Sequence, residues 1–181
     1  EGRLAALAEC AAGIGDLQVR NRGTVGGGLA HADPAGDAPA VALALDVAID
    51  AHGPQGARSI PAAEFVLGPY ETALAAGELA VGIRVPVPPA GSGSAYVKVE
   101  HPASGFALAG AAALVLPDGS SRIALTGIGG APVLLADESG IDELEVAGDR
   151  FAGADYRRHL ARVVVRRALE RARARTEGGA P

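Results

Sequence analysis

A glycine-rich segment between Gln18 and Asp33 is the feature that most restricts how this chain can fold. It holds too many glycines to favour a helix interior, and its apolar residues do not alternate as they do in a half-buried strand. The sequence therefore predicts a shaped loop here. Consecutive glycines can adopt positive φ angles and carry no Cβ, so we expect adjacent N–H groups to converge on an anion, with at least one glycine at positive φ.

The remaining residues predict a core of an unusual kind. Of the 181 residues, 49% are hydrophobic but only 3% are aromatic, and Trp and Met are absent. This composition excludes wholesale disorder and predicts one ordinary domain or two small ones, packed from Ala, Val, Leu and Ile. The single cysteine, Cys10, excludes a disulfide framework, a CxxC zinc site and an iron–sulfur cluster held by this chain alone. We interpret it as a small core residue.

Local patterns predict short helices and strands up to a boundary near residue 88. Residues 4 to 12 favour a helix stopped by Gly13, and a second helix is expected to begin at Asp37 with a proline in its first turn. The patterns then predict a strand from Val47 to Ala51, a short helix from Ser59 to Phe65 and a strand from Leu79 to Val85. The stretch from Pro86 to Ser94, rich in Pro, Gly and Ser, is the candidate domain boundary.

Beyond this boundary the patterns predict a small sheet and one long helix. Strand-like runs occur at residues 94–100 and 121–127, and a hairpin turn is expected at 117–119. An Ala-rich stretch, 106–116, fits either a helix or a buried strand. The strongest helix is predicted from Asp155 to Arg175, and the tail, 178–181, is expected to be frayed.

Charge is distributed unevenly along an acidic chain with a net charge of −5. Residues 137–149 carry acids and no base, whereas residues 155–175 carry eight arginines against two acids. Because no binding motif or interleaved aromatic residue accompanies these arginines, a nucleic-acid partner is disfavoured. We expect the basic helix to pair partly with the acidic segment and partly with a partner subunit.

The sequence shows neither a membrane-spanning run nor a targeting pattern. No run of about 18 apolar residues could span a bilayer, and the start lacks the pattern of a signal peptide, which favours a cytoplasmic protein. The chain opens on Glu1 without an initiator methionine, as expected of a piece of a longer sequence.

The glycine segment also carries the candidate binding residues. A nest of N–H groups suits a pyrophosphate, Thr24 adds a hydroxyl, and Asp37 can accept from a ribose or ribityl hydroxyl. A tight turn without a ligand explains such glycines equally well. The segment is neither a P-loop nor a GxGxxG fingerprint.

No catalytic side chain and no metal site are predicted. His31, Asp33 and Asp37 surround a Pro turn, which makes turn geometry and helix capping a better explanation than a metal cluster. His101 and His159 are interpreted as structural, and no GxSxG elbow supports a hydrolase.

The segment from Arg20 to Asp37 resembles the second FAD motif of the flavoprotein (medium) subunits of molybdenum hydroxylases, which include aerobic carbon monoxide dehydrogenases and xanthine dehydrogenases. The resemblance continues in order along nearly the whole chain, through residues 78–86, 95–106, 125–132 and 155–160.

This resemblance implies roles for seven residues. By position, Thr24, Val25, Gly26, Gly27 and Gly28 match the turn that holds the FAD pyrophosphate, and Asp37 matches the acid that binds the cofactor's hydroxyls. Lys98, the only lysine, matches a lysine near the flavin ring, where a cation would stabilise the anionic reduced flavin. The alternative for Lys98 is a solvated surface side chain.

The resemblance also implies an α+β fold in two parts. Residues 1–88 would be the second subdomain of a PCMH-type FAD-binding domain, without the family's N-terminal subdomain, and residues 89–181 a small C-terminal domain of antiparallel sheet plus helices. With one subdomain missing, the chain alone is expected to bind FAD poorly and to show an open groove at Thr24 to Gly28, with Lys98 at its edge.

The function implied is that of an electron-transfer subunit. FAD would pass electrons from the [2Fe–2S] clusters of a small subunit to an acceptor, and a large subunit would hold the molybdenum cofactor and choose the substrate. Two alternatives are another flavoenzyme of the same FAD-binding fold, of the enolpyruvyl-sugar reductase type, and a non-redox scaffold remnant.

Overall fold

Residues 2 to 177 are described by the structure, a computed structural model. After a 3₁₀ turn at Gly2–Leu4, the first half contains four helices in succession: α1 (Ala5–Gly13), α2 (Leu17–Arg22), α3 (Val25–His31) and α4 (Asp37–Ala44). A three-stranded antiparallel sheet of order β2-β1-β5 follows, built from β1 (Ala48–Gly53), β2 (Gly56–Pro61) and β5 (Leu79–Arg84). Between β2 and β5 lie a one-turn helix and a small hairpin: α5 (Ala62–Phe65), β3 (Val66–Gly68) and β4 (Glu71–Thr72).

The second half is an antiparallel meander backed by one long helix. Its strands, in the order β6-β7-β8-β9, are β6 (Gly93–Glu100), β7 (Ala107–Val115), β8 (Ser121–Thr126) and β9 (Val133–Leu135). A 3₁₀ segment, Glu138–Glu143, precedes the helix α6 (Ala154–Glu177). The α+β class, the two strands expected at residues 94–100 and 121–127, and the long helix are confirmed.

The four-stranded sheet is buried on both faces. Along β6, Tyr96 faces the hydrophobic core built with α1 and α4, whereas Ala95 and Val97 face the core under α6. The Ala-rich stretch left open between helix and strand is therefore the strand β7, whose small side chains allow helices to approach both faces. A Cβ at Gly93 would overlap the carbonyl oxygen of Ala172 on α6, which requires glycine there.

The two halves of the chain share a hydrophobic core. The core of α1, α4 and the three-stranded sheet also takes in Tyr96, Ala112 and Leu114 from the four-stranded sheet. The segment between β5 and β6, residues 85 to 92, links the two sheets.

The predicted loop from Gln18 to Asp33 is wrong, because this segment forms α2 and α3. Each helix has an N-cap side chain: Asp16 Oδ1 accepts from the Val19 N–H at 2.8 Å, and Thr24 Oγ1 accepts from the Gly27 N–H at 3.0 Å. The glycines have low helix propensity, and the packing of α3 against β5 and α4 provides the stabilisation that the helix needs.

One further prediction needs adjustment. The helix expected at Ser59–Phe65 begins only at Ala62, because Ser59 and Ile60 pair with β1 as part of β2. The frayed tail expected at 178–181 lies outside the described residues.

The basic helix pairs with the acidic segment as expected. Arg162 contacts Asp142, and Arg157 Nη2 contacts Asp149 Oδ2 at 2.5 Å. Among residues 2 to 177, no helix is both long and apolar enough to cross a membrane.

Candidate functional site

A cavity of about 670 Å³ opens among the first four helices. Its floor is apolar and comes from α1, α4 and their neighbours; it includes Leu7, Cys10, Ala11, Val41, Ala42 and Ile83. The rim is formed by α2 and α3 on one side and by the loop after β6 on the other, where Phe106 is 45% exposed. A flat apolar ring system could lie on this floor with its polar groups directed towards the rim.

The glycine motif lies at this rim. Thr24, Val25, Gly27 and Gly28 line the cavity, whereas Gly26 faces the carbonyl oxygen of Ala80 on β5. None of these glycines has a positive φ, so that prediction is wrong. The physical reason is that they form the first turn of α3, where helical φ angles already align the N–H groups in one direction.

Gly27 and Gly28 differ in what a side chain would meet. A Cβ at Gly27 would lie 2.8 Å from Thr24 Oγ1, the atom that caps the helix. A Cβ at Gly28 would meet no atom within 4 Å. Since Gly28 also lines the cavity, its missing side chain leaves space for a ligand to approach the backbone.

Asp37 stands in the first turn of α4, and its carboxylate is directed inward. Its side chain is only 4% exposed, although the residue lines the cavity. Oδ1 accepts from the Tyr96 hydroxyl at 2.6 Å, and Oδ2 accepts from Lys98 Nζ at 2.8 Å. Burial raises the pKa of Asp37, and the hydrogen bonds from Lys98 and Tyr96 offset part of that rise.

Lys98 is buried beneath the cavity and not exposed at its surface. Its side chain is 8% exposed, so the solvated alternative is wrong. Besides Asp37, the ammonium group donates to the carbonyl oxygens of Gly13 at 2.8 Å and Gly105 at 2.6 Å. These three bonds occupy its three donors and join the end of α1, the start of α4 and the loop after β6.

Two residues that the sequence did not reveal hold this arrangement together. One is Tyr96, which lies two residues before Lys98 on the same face of β6; that spacing in a predicted strand could have indicated that the two side chains lie together. The other is Thr126, whose hydroxyl lies 3.0 Å from the Pro34 oxygen and 2.8 Å from the Gly36 oxygen. The turn before Asp37 is thus anchored on the four-stranded sheet.

The side chains of His31, Asp33 and Asp37, which the sequence analysis assigned to turn geometry and helix capping, do not come together at one point. His31 Nε2 lies 3.8 Å from Asp33 Oδ2, and the Tyr70 hydroxyl donates to the same oxygen at 3.3 Å, whereas Asp37 is bound to Lys98 elsewhere. In the described part of the chain, no three His, Cys, Asp or Glu side chains are grouped to hold a metal.

Comparison with known proteins gives concordant matches. Residues 1–88 match the family model described as the FAD binding domain in molybdopterin dehydrogenase. The chain is 38% identical to the carbon monoxide dehydrogenase medium chain of Hydrogenophaga pseudoflava, over 97% of this chain and 69% of the relative. It is 37% identical to the corresponding chain of Afipia carboxidovorans, over 91% of this chain and 65% of the relative.

A solved structure agrees with these matches. The chain superimposes on carbon monoxide dehydrogenase from Hydrogenophaga pseudoflava with a TM-score of 0.89 and 38% identity, covering 96% of this chain and 69% of that one. The chain therefore spans about two thirds of the length of the relatives it matches.

Proposed function

Since this chain belongs to the family of FAD-binding medium subunits of molybdenum hydroxylases of the carbon monoxide dehydrogenase type, we propose that it transfers electrons within such an oxidoreductase. FAD bound in the cavity would receive electrons from iron–sulfur clusters and pass them to an acceptor. The cofactor supplies the redox chemistry when bound, and the protein supplies binding, orientation and electrostatics.

The observation that carries this proposal is the fit of the cavity to the cofactor. An apolar floor suits the flat rings of a flavin, and the open space at Gly28 lets a polar group approach the backbone without meeting a side chain. We assign the pyrophosphate to the rim at Thr24, Val25, Gly26, Gly27 and Gly28. The N–H groups of Gly27 and Gly28 bond to the hydroxyl and carbonyl oxygens of Thr24, so those of Val25 and Gly26 are the ones assigned to donate to it.

Asp37 and Lys98 are proposed to act as a pair. Asp37 would accept from hydroxyl groups of the cofactor, using carboxylate lone pairs that Tyr96 and Lys98 leave available. Lys98 is paired with Asp37, which balances most of its charge. We therefore assign Lys98 mainly to holding Asp37 and the two carbonyl oxygens of Gly13 and Gly105 in place.

The proposed partners are a large molybdenum-binding subunit and a small iron–sulfur subunit. The support is that the relatives are named medium chains or subunits of dehydrogenase complexes. The outer face of α6 offers exposed arginines, among them Arg166 and Arg167, for contacts with an acidic neighbour.

Flavin retention tests the cofactor assignment. Gly28→Val places a branched side chain at a position that lines the cavity and where a Cβ meets no atom within 4 Å, so we expect the protein to keep its thermal stability and lose its FAD. The matched control is Gly153→Val, because a Cβ at Gly153 also meets nothing within 4 Å but lies outside the cavity lining. FAD is measured by absorbance after heat release. A stoichiometric flavin content in Gly28→Val would contradict the site.

The partner assignment has its own test. A tagged chain is isolated from its native host, and molybdenum, iron and FAD are measured in the same sample. We expect all three to co-purify in fixed ratio. Flavin without either metal would remove the electron-relay proposal and leave the FAD site standing.

A further inference from the structure

Tyr96 occupies a position that the proposed FAD site does not yet account for. It is 4% exposed in a chain with only three tyrosines, and its hydroxyl is committed to one partner, Asp37 Oδ1, at 2.6 Å. The sheet makes room for this hydroxyl at Gly110, where a Cβ would lie 2.5 Å from it.

The backbone of Tyr96 is fixed as well. Its N–H donates to Glu9 Oε2 at 2.7 Å, and Glu9 Oε1 accepts from Arg175 Nη2 at 2.5 Å. The strand is thereby tied to α1 on one side and to α6 on the other. Such a fixed ring can hold a carboxylate in a single orientation, since a side chain with few free rotations loses little entropy when it forms a bond.

We propose that Tyr96 is a positioning residue of the FAD site, which orients the Asp37 carboxylate towards the cofactor. This inference rests on the proposed function, because it assumes that FAD binds in the cavity beside Asp37. Lys98 bonds to Oδ2 and Tyr96 bonds to Oδ1, so each carboxylate oxygen keeps only the lone pairs that these donors leave free. Without the hydroxyl, the carboxylate can rotate about its Cβ–Cγ bond.

Tyr96→Phe removes one oxygen atom and tests this role. We expect FAD affinity, measured by quenching of flavin fluorescence in the purified flavoprotein stripped of its cofactor, to fall about tenfold to hundredfold. That range corresponds to one hydrogen bond to a charged group. The matched control is Tyr156→Phe, since Tyr156 is 52% exposed and lies on the outer face of α6.

A double-mutant cycle separates positioning from general loosening of the fold. If Tyr96 acts through Asp37, the double variant Tyr96→Phe with Asp37→Ala binds FAD no more weakly than Asp37→Ala alone. Equal fold-losses in both backgrounds would overturn the proposal. A wild-type holoenzyme that is isolated from its native host without FAD would instead overturn the proposed function.

A pH profile adds a readout that a merely structural role would not move. The groups around Asp37 are Tyr96, Lys98, Cys10 and Glu100. Loss of the Tyr96 hydroxyl favours protonation of the carboxylate, so as the pH is lowered the affinity of Tyr96→Phe should begin to weaken at a higher pH than that of the wild type. Parallel profiles would contradict the role.

Gly110→Ala provides a second route if a variant of the cycle does not fold. It keeps every polar group, but its Cβ would lie 2.5 Å from the Tyr96 hydroxyl and 2.9 Å from Thr126 Cγ2, so both side chains must move, and we expect a loss of FAD affinity at least as large as in Tyr96→Phe. Unchanged affinity, with the protein folded by thermal unfolding, would overturn the proposal.

Discussion

Removal of the Lys98 ammonium group should destabilise the protein strongly. In Lys98→Met the apolar stem is kept, but the carbonyl oxygens of Gly13 and Gly105 lose their donor and Asp37 loses its ion-pair partner. Both side chains of this pair are less than a tenth exposed. Breaking a buried pair by removing one partner costs about 3–5 kcal/mol, because the other charge remains buried.

Urea unfolding measures this loss. With a denaturant dependence of about 1–3 kcal/mol per molar urea, the midpoint should fall by roughly 2 M. Arg162→Met is the control, since it also removes an ion pair, but one whose side chains are 51% and 64% exposed. That change should cost at most about 1 kcal/mol.

Adding Asp37→Asn to Lys98→Met shows how much of the lost stability comes from the unpaired charge of Asp37. This second change removes the unpaired charge, so we expect it to recover part of the lost stability. A cost for Lys98→Met below about 1 kcal/mol would refute the reasoning, because it would mean that water or a rearrangement replaces all three bonds at little cost.

Three other outcomes are expected. The Arg58 guanidinium and the Ala75 N–H hold the pKa of Glu78 at about 2, against an ordinary value of 4.5. The stability that the ionised carboxylate contributes is therefore complete above pH 4.5 and is lost as the pH falls towards 2. The thermal unfolding temperature of Glu78→Gln should approach that of the wild type across this range. Burial raises the pKa of the Cys10 thiol to about 12, so iodoacetamide at pH 8 should modify it in urea and not in the native protein, and rapid native alkylation would contradict this. Gly93→Ala should lower stability by about 1–3 kcal/mol because α6 must move away from the sheet, whereas Gly28→Ala should change it little, as thermal unfolding can check.

The sequence was a good guide wherever a local pattern decided the structure. Alternating and proline-stopped runs identified β5, β6 and β8, and the spacing of apolar residues identified α6 within two residues at each end. Of the residues that the resemblance singled out, five line the cavity, namely Thr24, Val25, Gly27, Gly28 and Asp37, whereas Gly26 and Lys98 do not.

The motif from Arg20 to Asp37 shows where local pattern fails. Its glycines disfavour a helix by roughly 1 kcal/mol each, which led to the predicted loop. Tertiary packing of α3 on β5 and α4, with the Thr24 cap, outweighs that preference. The Ala-rich stretch 106–116 was ambiguous for a related reason, because a strand buried on both faces shows no alternation.

The sequence by itself determined β5, β6, β8 and α6, the small-residue core and the family motif, because these depend on residue type and spacing along the chain. Only the tertiary structure decided that Lys98 is buried, that Tyr96 and Lys98 share the carboxylate of Asp37, and that Thr126 holds the turn before it. These contacts join residues 59 to 90 positions apart. Such pairs form when two sheets and their helices pack together, and no local pattern encodes which polar groups will then meet.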